Sequence, residues 1–161
     1  MLETAYNKII LFLSFFLVLI ACGGGASAAC HVSITNINFG SYDVFAASPT
    51  DSVGTVTISC TDGPPGIYAT VSIGSSMTSG TFNPRKMKRA GGTDLLDYNL
   101  FTTSSRTTVW GDGTSGTSTV ATPQRVRSGK PATVNVYGRI PAGRDVSIGS
   151  YTDTLVVTVT P

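Results

Sequence analysis

Ser150-Tyr-Thr-Asp-Thr-Leu-Val-Val-Thr-Val-Thr-Pro161 is the stretch around which the rest of the chain is organised. Leu155, Val157 and Val159 alternate with Thr154, Thr158 and Thr160, the period-two pattern of a β-strand with one face made for a core. A strand this apolar needs a neighbour on each edge, because a bare edge is a template for pairing with other chains. Nothing follows Pro161 that could return and pair with it, so the pattern predicts a sheet with a vacant edge.

Composition points the same way. Hydrophobic residues make up 41% of the 161, there are 18 glycines, and Glu3 is the only glutamate, which favours strands and turns over helices. A net charge of +2 is too small for a nucleic-acid surface. Residues 1–29 read as a signal peptide: Lys8, the apolar run Ile9–Ala21, and small residues at Ala26-Ser27-Ala28-Ala29. The apolar run is short for a membrane span. Leu19-Ile20-Ala21-Cys22 also resembles the lipobox of bacterial lipoproteins, with lipidation at Cys22 and Gly23-Gly24-Gly25 as tether. Cleavage after Ala29 and lipidation at Cys22 are the two alternatives, and either one exports a domain of residues 30–161. In an oxidising compartment Cys30 and Cys60, the only cysteines of that domain, are expected to form a disulfide.

Working back towards the start, Val32, Ile34, Ile37 and Phe39 shift from a spacing of two to three across Thr35-Asn36, which calls for a bulge or kink. Val53–Cys60 and Ile67–Ile73 alternate cleanly and read as central strands on either side of the breaker Thr61–Gly66. Leu96, Tyr98 and Leu100 mark another strand, as do Val134 and Val136, and a brief one is expected near Gln124–Arg127. About six main strands at this spacing suit a sandwich. The only charge run, Arg85-Lys86-Met87-Lys88-Arg89, reads as a solvated hairpin.

Catalytic and metal chemistry find little support. His31 is the only histidine and no serine sits in a Gly-x-Ser-x-Gly elbow. Asp94, Asp97, Asp112 and Asp153 are more simply turn or solvent-face residues than a glycosidase pair. Gly111-Asp112-Gly113 lacks the oxygen ligands of a calcium loop, and Cys30-His31 with a distant Cys60 has no metal-site spacing. Catalytic residues, metals and cofactors are all expected to be none.

Seven short motifs then occur in one order: Cys30-His-Val-Ser, Phe39-Gly-Ser-Tyr-Asp43, Thr57-Ile-Ser-Cys-Thr61, Tyr98-Asn-Leu-Phe101, Arg106-Thr-Thr-Val-Trp-Gly-Asp-Gly113, Tyr137-Gly-Arg-Ile-Pro141 and Gly149-Ser-Tyr-Thr-Asp153. Over residues 30–160 the chain resembles spore coat protein U domain proteins, a family similar to the subunits of archaic chaperone-usher pili. The resemblance implies an all-β fold, an incomplete immunoglobulin-like β-sandwich lacking its final strand. It also implies a subunit exported through the periplasm to a surface pilus or coat. The implied partners are a periplasmic pilus chaperone that lends a strand, an outer-membrane usher, and neighbouring pilin-like subunits, with no nucleic acid and no small-molecule substrate.

Strand addition combines backbone hydrogen bonds with alternate side-chain pockets. The acceptor groove is expected between Val32, Ile34 and Ile37 on one side and Leu155, Val157 and Val159 on the other. Cleavage after Ala29 would leave no apolar donor segment ahead of Cys30, so an acceptor-only subunit is expected. The alternative is a secreted or lipid-anchored binding module that folds alone.

Overall fold

The computed structural model describes residues 29–61 and 66–160; most of the expected signal peptide, with Cys22, and most of the expected breaker, residues 62–65, lie outside the described residues. Among the described residues nine strands follow one another: β1 (Ala29–Thr35), β2 (Thr50–Thr61), β3 (Thr70–Ile73), β4 (Arg85–Arg89), β5 (Leu95–Phe101), β6 (Val120–Ala121), β7 (Ala132–Ile140), β8 (Tyr151–Thr152) and β9 (Val157–Thr160). Among the described residues there is no helix. A six-stranded antiparallel sheet runs in the order β1-β2-β7-β5-β4-β8, and a three-stranded sheet runs β6-β3-β9. Both central-strand expectations hold: β2 lies between β1 and β7, and β3 between β6 and β9.

Alternation places the core. Val56, Ile58 and Cys60 of β2, Val134 and Val136 of β7, Leu96, Tyr98 and Leu100 of β5, and Val71 and Ile73 of β3 are all buried between the sheets. Next to these residues, on the opposite faces of β2 and β3, stand Thr and Ser, and Thr57 meets Thr133 of β7 there, hydroxyl to hydroxyl at 2.9 Å. The predicted disulfide is present: Cys30 and Cys60 are directly opposed across β1 and β2, with Cα atoms 4.0 Å apart.

The predicted kink falls where β1 ends at Thr35. The chain then crosses the inner face of the large sheet, and two glycines make room for it. A Cβ at Gly54 would lie 2.8 Å from Ile37 Cγ1 and 2.6 Å from the Thr35 carbonyl oxygen, and one at Gly138 would lie 2.8 Å from Phe39 Cζ.

Three expectations need correction. First, the closing stretch is not one strand: Tyr151–Thr152 pair with β4 in the large sheet, and Val157–Thr160 pair with β3 in the small one. Asp153 pins the crossing, with one carboxylate oxygen accepting from the Tyr98 hydroxyl at 2.7 Å and the other from the Thr78 hydroxyl at 3.0 Å. Second, the charge run is not a simple solvated hairpin. Period-two geometry turns Arg85 and Met87 inward and Lys86 and Lys88 outward, and Arg85 is 0% exposed. Third, the brief strand expected near Gln124–Arg127 occurs earlier, at Val120–Ala121, and Val126 makes only an isolated bridge to Ile67.

Arg85 is instead a clamp between the sheets. From β4 it donates through Nη2 to the carbonyls of Gly74 (2.9 Å) and Trp110 (2.8 Å), and through Nη1 to Asn99 Oδ1 (2.9 Å). Trp110, also 0% exposed, donates its indole N–H to the Val71 carbonyl at 3.0 Å. Burial holds the Arg85 guanidinium below its ordinary pKa, the direction expected when a cation leaves water. With its carbonyl acceptors in place the buried charge is satisfied, and a buried carbonyl left unpaired would cost about 1–3 kcal/mol.

The fold yields a stability prediction. Replacing Cys30 and Cys60 together by Ala opens a loop with a sequence separation of 30 and should lower unfolding free energy by roughly 3 to 4 kcal/mol in the chain-entropy view. Urea titration of the oxidised, exported chain and of the variant checks this; an unchanged midpoint would show that β1 is held by its ladder alone.

Candidate acceptor groove

β1 forms one edge of the large sheet and β9 one edge of the small sheet. Between them opens a groove of about 500 Å³, whose walls are Ile34–Ile37 with Phe39 on one side and Tyr151–Leu155 with Val157 on the other. Its floor is core: Val56, Ile73, Met87, Tyr98, Leu100 and Val136.

The β1 wall shows what is missing. Val32 and Ile34 stand opposite Ile58 and Val56, so they share the core-facing side of the sheet. Yet Ile58 and Val56 are 1% exposed, while Val32 is 36% and Ile34 51% exposed. The same face is covered over β2 and uncovered over β1.

Backbone geometry gives both walls a second property. In an antiparallel ladder, closely opposed pairs are those that do not exchange hydrogen bonds. The 4.0 Å Cα separation of Cys30 and Cys60 assigns them to that class. By alternation Val32 and Ile34 belong to it too, and they turn their N–H and C=O groups towards the open edge. On the other wall Gly74 N–H donates to the Val156 carbonyl at 2.8 Å. Leu155, Val157 and Val159 therefore direct their amides away from β3. Inward side chains and edge-directed amides coincide on the same residues of both walls, which is the arrangement a further strand would need.

Of the six residues expected to form the groove, Ile34, Ile37, Leu155 and Val157 line it together. Val32 and Val159 lie one pleat further along their strands, on the same inward faces but outside the cavity lining. Residue-by-residue reading missed Phe39, Tyr98 and Asp153, which close one end. Phe39 packs edge-on against the Tyr98 ring, with centroids 6.1 Å apart, and Asp153 takes the Tyr98 hydroxyl proton in a hydrogen bond. The Tyr98 alternation was visible in sequence, but its meeting with Asp153 crosses 55 residues and carried no local signal.

Burial, and then the hydrogen bond donated to anionic Asp153, raise the Tyr98 pKa above its ordinary value. Among the described residues no group of three or more His, Cys, Asp or Glu side chains converges. Asp112, considered for calcium, instead accepts from the Thr114 N–H (2.9 Å) and hydroxyl (2.6 Å) and closes its own turn.

Comparison with known proteins now adds identity to geometry. Residues 19–158 match the Spore Coat Protein U domain. The chain belongs to that family. Protein U of Myxococcus xanthus is 32% identical over 150 residues, covering 86% of this chain and 78% of its own length. Among solved structures, the CsuC–CsuE chaperone–tip adhesion subunit pre-assembly complex, from the archaic chaperone-usher Csu pili of Acinetobacter baumannii, matches with a TM-score of 0.55 and 23% identity. That match covers 82% of this chain but 39% of the solved one. The Spore Coat Protein U domain described here thus has the all-β, immunoglobulin-like fold found among pilus subunits.

The Tyr98–Asp153 contact sets a pH dependence. Tyr98 has a raised folded pKa, so its contribution to stability is complete below the unfolded tyrosine value of about 10 and is lost as pH climbs beyond it. Tyr98→Phe should flatten the decline in stability above about pH 10, measured by urea midpoints across pH; an identical decline in the variant would assign it to other groups.

Proposed function

We propose that this domain is an exported structural subunit of a chaperone-usher pilus or related surface coat, completed by a strand donated into the groove between β1 and β9. The observation that carries the reading is the exposure of Val32 and Ile34 on a face whose other residues are core. Membership of the Spore Coat Protein U domain family and the fold shared with a pilus subunit support it. A periplasmic chaperone supplies the strand first, an outer-membrane usher receives the complex, and a neighbouring subunit replaces the chaperone. The chain passes through the periplasm and ends at the cell surface. Its role is assembly, not catalysis. Cys30–Cys60 fastens the start of the β1 wall, while the acceptor side chains are Ile34, Ile37, Leu155 and Val157, extended by Val32 and Val159. The part played by Cys22 and any donor segment ahead of Cys30 belong to the same reading.

Co-expression with the periplasmic chaperone of its secretion system tests the proposal. Ile34→Asp and Val157→Asp each place a charge in the apolar groove and should reduce co-purification at least about tenfold, since burying an unpaired carboxylate costs several kcal/mol. Phe45→Asp, on an exposed loop outside the groove lining, should leave capture unchanged. Normal capture of both groove variants would overturn the assignment, and cooperative unfolding of the isolated monomer with no partner would favour a module that folds alone.

A further inference from the structure

The groove is not uniform along its length. Around Ile34, Ile37, Leu155 and Val157 its lining is aliphatic apart from the neutral Thr35 and Asn36, whereas the end at Tyr98 presents Thr152, Thr154 and its one charged group, Asp153. Asp153 is a half-buried carboxylate in this wall. One of its oxygens accepts from the Thr78 N–H (3.3 Å) and hydroxyl (3.0 Å), and the other from the Tyr98 hydroxyl alone (2.7 Å). A carboxylate offers about four acceptor positions, so the second oxygen keeps room for a donor. All three existing donors are neutral, and among the described residues no cation forms an ion pair with Asp153. Arg85 feels its field from within the core, but spends its own N–H groups on carbonyls and Asn99.

We infer that Asp153 is a specificity-determining residue of the groove. Its occupant is an extended segment of another polypeptide with alternating aliphatic side chains over Ile34 and Val157 and a lysine or arginine at the Asp153 end. The inference rests on the strand-acceptor reading and adds to it the chemistry of the donor. A cation there gives the carboxylate a charged partner in a partly desolvated site, where opposite charges attract more strongly than in water. An acidic donor residue meets like charge at close range and is rejected, which is how complementary interfaces exclude wrong partners. The preference is local: the chain as a whole carries +2, so long-range attraction alone would favour an acidic strand.

Synthetic strands test this. Three peptides share one alternating Val/Thr core and carry Lys, Gln or Glu at both ends, which makes the result independent of strand orientation. Binding to the oxidised, exported chain is followed by fluorescence anisotropy of the labelled peptides, for wild type and for Asp153→Asn, an isosteric change that keeps an oxygen for Thr78. In wild type the Lys peptide should bind about tenfold or more tightly than the Glu peptide, with Gln between. In the variant the ratio should collapse to within about twofold. Equal affinities for all three peptides in wild type would overturn the role of Asp153 while leaving the groove intact. Failure of every peptide to bind would overturn the strand-acceptor reading and this inference with it. If Asp153→Asn does not fold, the wild-type Lys-to-Glu ratio decides alone, because whole-chain charge predicts the opposite order.

Discussion

An apolar face needs an opposite layer, and along β1 the described residues provide none. Ile58 and Val56 are buried in the core, but the side chains beside them on β1 look across a groove towards β9, with no strand between among the described residues. A segment laying four or five aliphatic side chains there would contribute roughly 6 to 15 kcal/mol at about 1.5 to 3 kcal/mol each. A typical domain has a net stability of about 5 to 15 kcal/mol. The uncovered layer is therefore comparable to the whole stability of a typical domain, which is why the proposed function gives the groove an occupant.

The rest of the architecture keeps that groove open without letting the sheets part. On the far side Arg85 and Trp110 bind β4 to the end of β3 through backbone carbonyls. Near the closed end Tyr98, from the large sheet, meets Asp153 where the chain passes to the small one. The start of the β1 wall is fastened covalently by Cys30–Cys60, and its continuation lies over Gly54 and Gly138, where no side chain would fit. An aliphatic core in place of these links could shift to cover the exposed face. Directional hydrogen bonds and a covalent bond resist such a collapse.

The two edges also expose the right backbone groups. On β1 and on β9 the residues with inward side chains are those whose amides point outward. An incoming strand thus meets pockets and hydrogen-bonding partners at the same register positions, and a slip by one residue would lose both together. For the proposed strand addition this coupling would supply selectivity that backbone pairing alone does not.

How much of this was legible beforehand follows from the range of each interaction. Period-two alternation identified β2, β5, β7 and the apolar residues of β9, because side-chain direction in a strand is a local property. The kink after Thr35 and the Cys30–Cys60 pairing were legible for similar reasons: a change of phase, and a single available pair. Of the six residues expected at the groove, Ile34, Ile37, Leu155 and Val157 line one cavity, since apolar residues at the first and last strands leave a pattern with no partner. The division of Tyr151–Thr160 between two sheets was not legible, because Asp153 is pinned by Thr78 and Tyr98, 75 and 55 residues away. Nor was the burial of Arg85: a charge run looks solvated until carbonyls from Gly74 and Trp110 are brought around it. By itself the sequence determined which strand faces are apolar and which two cysteines could pair. Only the tertiary structure decided where the groove ends and what closes it, because those contacts join segments with no local signal for one another.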